Sequence, residues 1–191
     1  MTHEILTPKW LCTAIEDHTS EQIHLTKGYG SGGTYGGVMW HLDRALFHNA
    51  NCHLSWVTAP IWSQLEDPLL ATFIQVLEDK YKLYEDEHYT IRWSKTPDLT
   101  FHHSKHSIKF ISVHEPRRLI GSNISHSLST EPGMYKPEVF ERLNSRVRNV
   151  KAALCQRFFE GTPEGMTRWE EIANFQEGVS GLKRRIVVPT S

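Results

Sequence analysis

Apolar and polar positions alternate with two different periods along this chain, and the period changes at glycine and proline. Residues 22–26 (QIHLT) form a short β-type run that stops at a cluster of glycines. Residues 35–48 (YGGVMWHLDRALFH) then follow a helical period that turns Val38, Leu42, Ala45 and Leu46 inward. The same order recurs: 52–60 (CHLSWVTAP) predicts a strand ending in a turn, and 63–84 places Leu65, Leu69, Leu70, Phe73, Leu77 and Tyr81 at helical spacing. Residues 89–93, 99–103 and 107–113 predict strands, the last two joined as a hairpin by 104–106. A strand over 124–129, a helix over 137–150 opened by Pro137, a buried strand over 153–159, a helix over 166–176 and a final strand, RRIVVP, complete the pattern. Strands alternating with helices predict an α/β fold whose central sheet is mostly parallel and carries an inserted β-hairpin.

Composition narrows the picture without changing it. The chain has 191 residues, 39% hydrophobic and 23% charged, enough for one sizeable core and a single domain spanning 1–191. A net charge of -1 excludes an overall basic field, so any contact with nucleic acid must be local. Cys12, Cys52 and Cys155 are far apart in sequence and form no C-x-x-C pair, which suits buried thiols in a reducing compartment. No apolar run approaches the roughly 20 residues of a membrane span, and the first nine residues lack the apolar core of a signal peptide. The expected compartment is the cytosol, with no membrane partner.

Six of the twelve glycines fall within residues 28–37. Between a strand and a helix, such a loop can aim successive N–H groups and the helix dipole at one anion. The usual phosphate loop reads G-x-x-x-x-G-K-[ST], its lysine reaching the β- and γ-phosphates. Aligned on Gly32 and Thr34, this chain has Gly33 where that lysine belongs and Lys27 where the first glycine belongs. Either the charge has moved to the loop's entry, or the segment is a flexible turn beside a solvated lysine.

Four segments in order carry a resemblance. KGYGSGGT (27–34), WVTAPIWSQLED (56–67), SIKFISVHEPRRLIGSNISHSLSTEPG (107–133) and RFFEGTPEG (157–165) resemble the motifs of the ATPase domain of large terminase subunits, the DNA-packaging motors of tailed bacteriophages. Some members of that family carry the loop lysine at its start. The resemblance covers about residues 22–170. It implies a P-loop NTPase fold of the ASCE type that hydrolyses ATP with Mg²⁺. Lys27, Gly28, Tyr29, Gly30, Ser31, Gly32, Gly33, Thr34 and Tyr35 would then bind nucleotide. Thr34 and Thr130 would face the metal and Glu131 would activate water. Thr162, with Gly161 to Gly165, would couple hydrolysis to motion.

Where the family's Walker B strand ends in Asp-Glu, this chain has Thr130-Glu131, which puts metal affinity and turnover rate in doubt. Arg118, with Arg117 beside it, matches the family's Pro-Arg-Leu-x-Gly arginine and would serve as a finger supplied to the neighbouring subunit. Arg142, Arg146, Arg148 and Lys151 form a local basic edge for DNA phosphates or a neighbour. His102, His103, His106 and His114 are expected to be exposed hairpin residues rather than a zinc site.

The implied partners are the double-stranded DNA of the phage genome, the portal and procapsid, the small terminase subunit and further copies in a ring. The chain alone is expected to be a monomer, and the implied location is the cytoplasm of the infected bacterial host. The family's nuclease domain would follow the ATPase domain, and no nuclease activity is expected of these 191 residues. A different class of function, a catalytically weak nucleotide-binding assembly module, is also compatible with Gly33 and Thr130. A small-molecule kinase is disfavoured, because no arginine-rich lid follows the loop.

Overall fold

The computed structural model describes residues 8–163 and 183–188. Eight strands form one sheet in the order β3-β4-β5-β2-β6-β7-β1-β8: β1 (Gln22–Lys27), β2 (Leu54–Ala59), β3 (Tyr89–Arg92), β4 (Asp98–Phe101), β5 (Ser107–Ser112), β6 (His126–Thr130), β7 (Gln156–Gly161) and β8 (Lys183–Val188). Every pairing from β5 to β8 is parallel, and only β3-β4 and β4-β5 are antiparallel. The mostly parallel sheet and the hairpin agree with the sequence pattern.

The sheet is covered on both faces, as parallel sheets require. Adjacent residues of a strand feed opposite layers: Val57, Phe110 and Phe158 belong to one apolar cluster, Trp56, Ile111 and Phe159 to the other. The first cluster packs under helices α1 (Lys9–Glu16), α2 (Gly33–Asp43) and α4 (Ala71–Val76). The second packs under α5 (Pro137–Arg146), through Val139 and Leu143.

Several elements differ from the expected boundaries. Helix α1 had no counterpart in the sequence pattern. It is short, and it is held by tertiary contacts: the buried Arg44 guanidinium donates to the carbonyls of Ala14, Ile15 and Asp17, which caps the helix's open C-terminal end. Beyond α2, residues Arg44–His48 continue as a wider π-type turn. The helix expected over 63–84 is broken into α3 (Trp62–Gln64), a wide turn Leu65–Leu70, α4 and a second wide turn Leu77–Tyr81. Asp67 takes extended torsions (φ -138°, ψ 118°) because the residue before a proline is driven out of the helical region. Helix α5 ends at Arg146 instead of 150, since Val147 leaves to bridge Ile124. The helix expected over 166–176 lies outside the described residues.

The histidine expectation needs correction at one position. His103 and His114 are exposed and His102 is half-buried, but His106 is fully buried, where its Nδ1 meets the Cys52 carbonyl (2.6 Å) and its Nε2 meets Ser55 Oγ (2.8 Å). It joins buried His41 and His126 beneath the middle of the sheet. Among the described residues no group of three or more His, Cys, Asp or Glu side chains is arranged to hold a metal, and no helix is long and apolar enough to cross a membrane.

Candidate nucleotide-binding site

The C-terminal ends of β1, β6 and β7 lie side by side, and α2 begins directly above them. This edge is where open α/β sheets present their ligand sites. On β1, Ile23 and Leu25 face the α2 layer, so by alternation Lys27 emerges on that face at the strand's end. The loop then turns through Gly30 (φ 71°) and Gly32 (φ 73°), left-handed positions that glycine adopts without strain. Gly32 stands at the N-cap of α2 with no side-chain cap, so the first-turn N–H groups remain available to an anion.

Gly33 is the first helical residue, and its φ is not in the left-handed range. Its smallness has another cause. A Cβ there would fall well inside 3.0 Å of Lys27 Cδ, because the lysine stem crosses in front of it. Gly33, at the usual place of the loop lysine, and Lys27, at the loop's entry, are thus close neighbours.

Lys27 Nζ lies 3.3 Å from Thr34 Oγ1, 3.7 Å from Glu131 Oε1 and 2.6 Å from Glu160 Oε2. Glu131 follows β6 in a left-handed conformation (φ 46°), a strained state for a residue with a side chain. Its N–H donates to the Glu160 carbonyl, and its carboxylate accepts from the Thr162 N–H (3.2 Å) and hydroxyl (3.5 Å). Thr34 donates to Glu160 Oε1 at 3.4 Å. Lys27, the loop residues 28–33, Thr34, Tyr35, Glu131 and Thr162 line one cavity of about 220 Å³. Tyr29 is 71% exposed on its rim. Thr34, Thr130, Glu131 and Glu160 meet in an adjoining cavity of about 200 Å³.

Thr130 reaches this second cavity, but its hydroxyl proton goes to the Thr58 carbonyl (3.3 Å), which leaves the oxygen as an acceptor only. Arg117 and Arg118 are not part of the cluster. Arg118 is exposed, donates to Glu115 and to the Lys95 carbonyl, and lines a separate cavity of about 580 Å³ with Ile61 and Trp62. That larger cavity lies apart from the loop and its acids. Of the basic edge, Arg142 approaches Glu138 (4.0 Å) and Arg148 donates to Asn123. Gly165 lies outside the described residues.

Sequence reasoning missed Glu160. Burial pushes its carboxyl up from the usual range, and the neighbouring Lys27 charge works against that rise. A charged residue inside an apolar strand, RFFEG, was the available signal, and it was absorbed into the motif that follows it.

No protein-family model and no curated protein matches the chain. Solved structures do. The large terminase of a thermophilic bacteriophage aligns over 95% of this chain and 46% of its own, with TM-score 0.69 and 10% identity. The same enzyme in complex with ATP-γ-S aligns over 94% and 44%, with TM-score 0.63 and 12% identity. The large-terminase ATPase domain of Thermus phage P74-26 aligns over 95% and 80%, with TM-score 0.60 and 12% identity. The chain spans about half the length of the first of these proteins. Its fold is that of the ATPase domains of these phage large terminases.

Proposed function

We propose that this chain is an ATP-hydrolysing motor domain of the large-terminase type, which powers the packaging of double-stranded DNA into a procapsid. The observation that carries the reading is the meeting of Lys27 Nζ, the uncapped start of α2, Glu131 and Thr162 at one sheet edge. A polyphosphate would lie along the loop, with the Lys27 ammonium replacing its carboxylate contacts by phosphate oxygens. Thr34 and Thr130 fit the face of the site where Mg²⁺ is expected, one hydroxyl as a ligand and the other as an acceptor for a metal-bound water. When bound, the ion supplies neutralisation of charge developing on the phosphates.

Glu131 orients and deprotonates the attacking water in this reading. Its present grip on Thr162 links that water to the end of β7, so the loss of the γ-phosphate can be read by the segment that follows. Arg118 acts on a neighbouring chain in a ring. The portal, the procapsid, the small terminase subunit and the phage genome are the partners of this reading, and the bacterial cytoplasm is its location.

ATP binding and turnover, measured separately on the pure chain, test it. Binding of ATP and ADP with slow turnover that Glu131→Gln abolishes is the expected result. Binding with turnover untouched by that substitution would favour a non-hydrolysing assembly module, the reading that the uncharged Thr130 supports. Absence of any nucleotide binding would sink both.

A further inference from the structure

This chain departs from the family's motifs twice: at the lysine of the glycine loop and at the metal-facing aspartate that ends the Walker B strand, here β6, where Thr130 stands. The lysine has a substitute in Lys27. The acid has one too. In the β6-β7 ladder, Thr130 is paired in register with Glu160, and parallel partners at one register point to the same face of the sheet. Glu160 therefore occupies the neighbouring strand's equivalent of the vacated position, between β6 and β1. It is 1% exposed, and its two oxygens are divided between Thr34 Oγ1 (3.4 Å) and Lys27 Nζ (2.6 Å).

Resting on the nucleotide-binding reading above, we propose that Glu160 is the metal-facing carboxylate of this site, and that it takes a divalent cation with Thr34 when nucleotide phosphates draw Lys27 away. The argument is one of charge. Phosphates compete with Glu160 for the Lys27 ammonium, and a carboxylate this deeply buried is costly to leave unpaired. A cation arriving with the nucleotide restores the balance. The oxygens also suit a shared ion: 3.4 Å separates Thr34 Oγ1 from Glu160 Oε1, and neighbouring oxygens around Mg²⁺ at about 2.0–2.1 Å stand roughly 3 Å apart. One or two protein ligands suffice, because Mg²⁺ in nucleotide sites is held largely by phosphates and water. The lack of a three-residue metal-ligand group among the described residues is therefore no obstacle. Thr130, an acceptor on the same cavity, assists through a metal-bound water.

The test compares ADP affinity in EDTA with ADP affinity in Mg²⁺ by calorimetry, and follows Mn²⁺ bound to the chain and ADP by electron paramagnetic resonance. In the parent chain the metal should tighten ADP binding. Glu160→Gln should lower Mn²⁺ affinity by about 10–100-fold, the range for weakened metal sites, while metal-free ADP binding is kept or improved because Lys27 is released. Adding Thr130→Asp to Glu160→Gln should restore part of the metal affinity from the other strand. Glu160→Asp serves if the glutamine variant does not fold: it keeps the charge but withdraws it from Thr34, so Mn²⁺ affinity should fall more than metal-free ADP affinity. An unchanged Mn²⁺ signal, with metal-tightened ADP binding intact in the folded variant, would overturn the inference while leaving the nucleotide reading standing. Failure of the parent to bind ADP at all would overturn both.

Discussion

The stem of Lys27 passes through the space that a side chain on Gly33 would need, so the two positions cannot both carry bulk. Gly33→Ala should therefore push the lysine aside and weaken nucleotide binding even though the helical torsions at position 33 accept alanine. Lys27→Ala should cost about 1.5–3 kcal/mol of binding, as for a hydrogen bond to a charged group, with a larger loss for ATP than for ADP. With the stem gone, Gly33→Lys in the Lys27→Ala background should recover part of that loss. Titration calorimetry on the four chains measures this, and unaltered ATP binding by Lys27→Ala would show that the charge was never relocated.

Glu131→Gln keeps the size of the side chain and much of its contact with Thr162 but, on the proposed reading, removes the base. Turnover should fall by about 10²–10⁴-fold with little change in nucleotide affinity. A similar loss of affinity would instead mark Glu131 as a structural tie for Thr162.

Arg118 is held by Glu115 and the Lys95 carbonyl, away from the loop. If it serves a neighbouring chain, turnover per molecule should rise with protein concentration, and Arg118→Ala should abolish the rise while affinity stays the same. A rate independent of both concentration and this substitution rules the role out.

Burial drives the imidazoles of His41 and His126 well below the ordinary 6.5, and that of His106 below it as well. His126 contacts each of the other two, and the three meet Ser55, Ser125, Asn49 and the Cys52 carbonyl, with Arg44 the nearby fixed charge. Protonation of all three is therefore less favourable in the folded chain than in the unfolded one. Their contribution is thus complete above pH 6.5 and declines as pH falls below it, by about 1.4 kcal/mol per pH unit for each proton taken up. Urea unfolding at several pH values should show this slope, and His126→Gln should make it shallower. A slope unchanged by substitution at any of the three positions would assign the acid sensitivity elsewhere.

Arg44 is fully buried, pairs with Asp43, stacks over Trp40 and gathers the end of α1 with Gln156. Arg44→Met should destabilise the fold by about 3–5 kcal/mol, as breaking a buried pair does. Arg44→Lys should also be costly, since an ammonium cannot reach the same fork of acceptors. Thermal unfolding checks both, and a near-neutral lysine variant would show that charge alone suffices.

The sheet and the loop were legible because they are written locally: QIHLT followed by glycines needs no partner to be read as a strand running into a turn. What escaped reading depends on pairs distant in sequence. Helix α1 exists because a guanidinium some thirty positions later caps it. His106 is buried because the Cys52 carbonyl and the Ser55 hydroxyl give both its nitrogens a hydrogen-bond partner, and neither is visible from the hairpin's own residues. The break at Asp67 was signalled by Pro68 but outweighed by the helical spacing around it. Glu160 became significant only through cross-strand register, which places it beside Thr130 and within reach of a lysine at the end of β1.

That register has a consequence for assembly of the sheet. Phe158 and Phe159 serve opposite layers, and two neighbouring phenylalanines would tolerate a strand slipped by one position. Glu160 would not. A slip exchanges the faces of every side chain in β7 and would drive the carboxylate into the apolar layer of Tyr135, Val139 and Leu143, with no cation to meet it. Glu160 thus joins Gln156 and Arg157, whose buried hydrogen bonds to Arg44 and to the Asn144 carbonyl a slip would also break, in selecting the alignment of β7, and a chain that has aligned β7 correctly has, in the same event, brought Glu160 to Lys27 and Thr34.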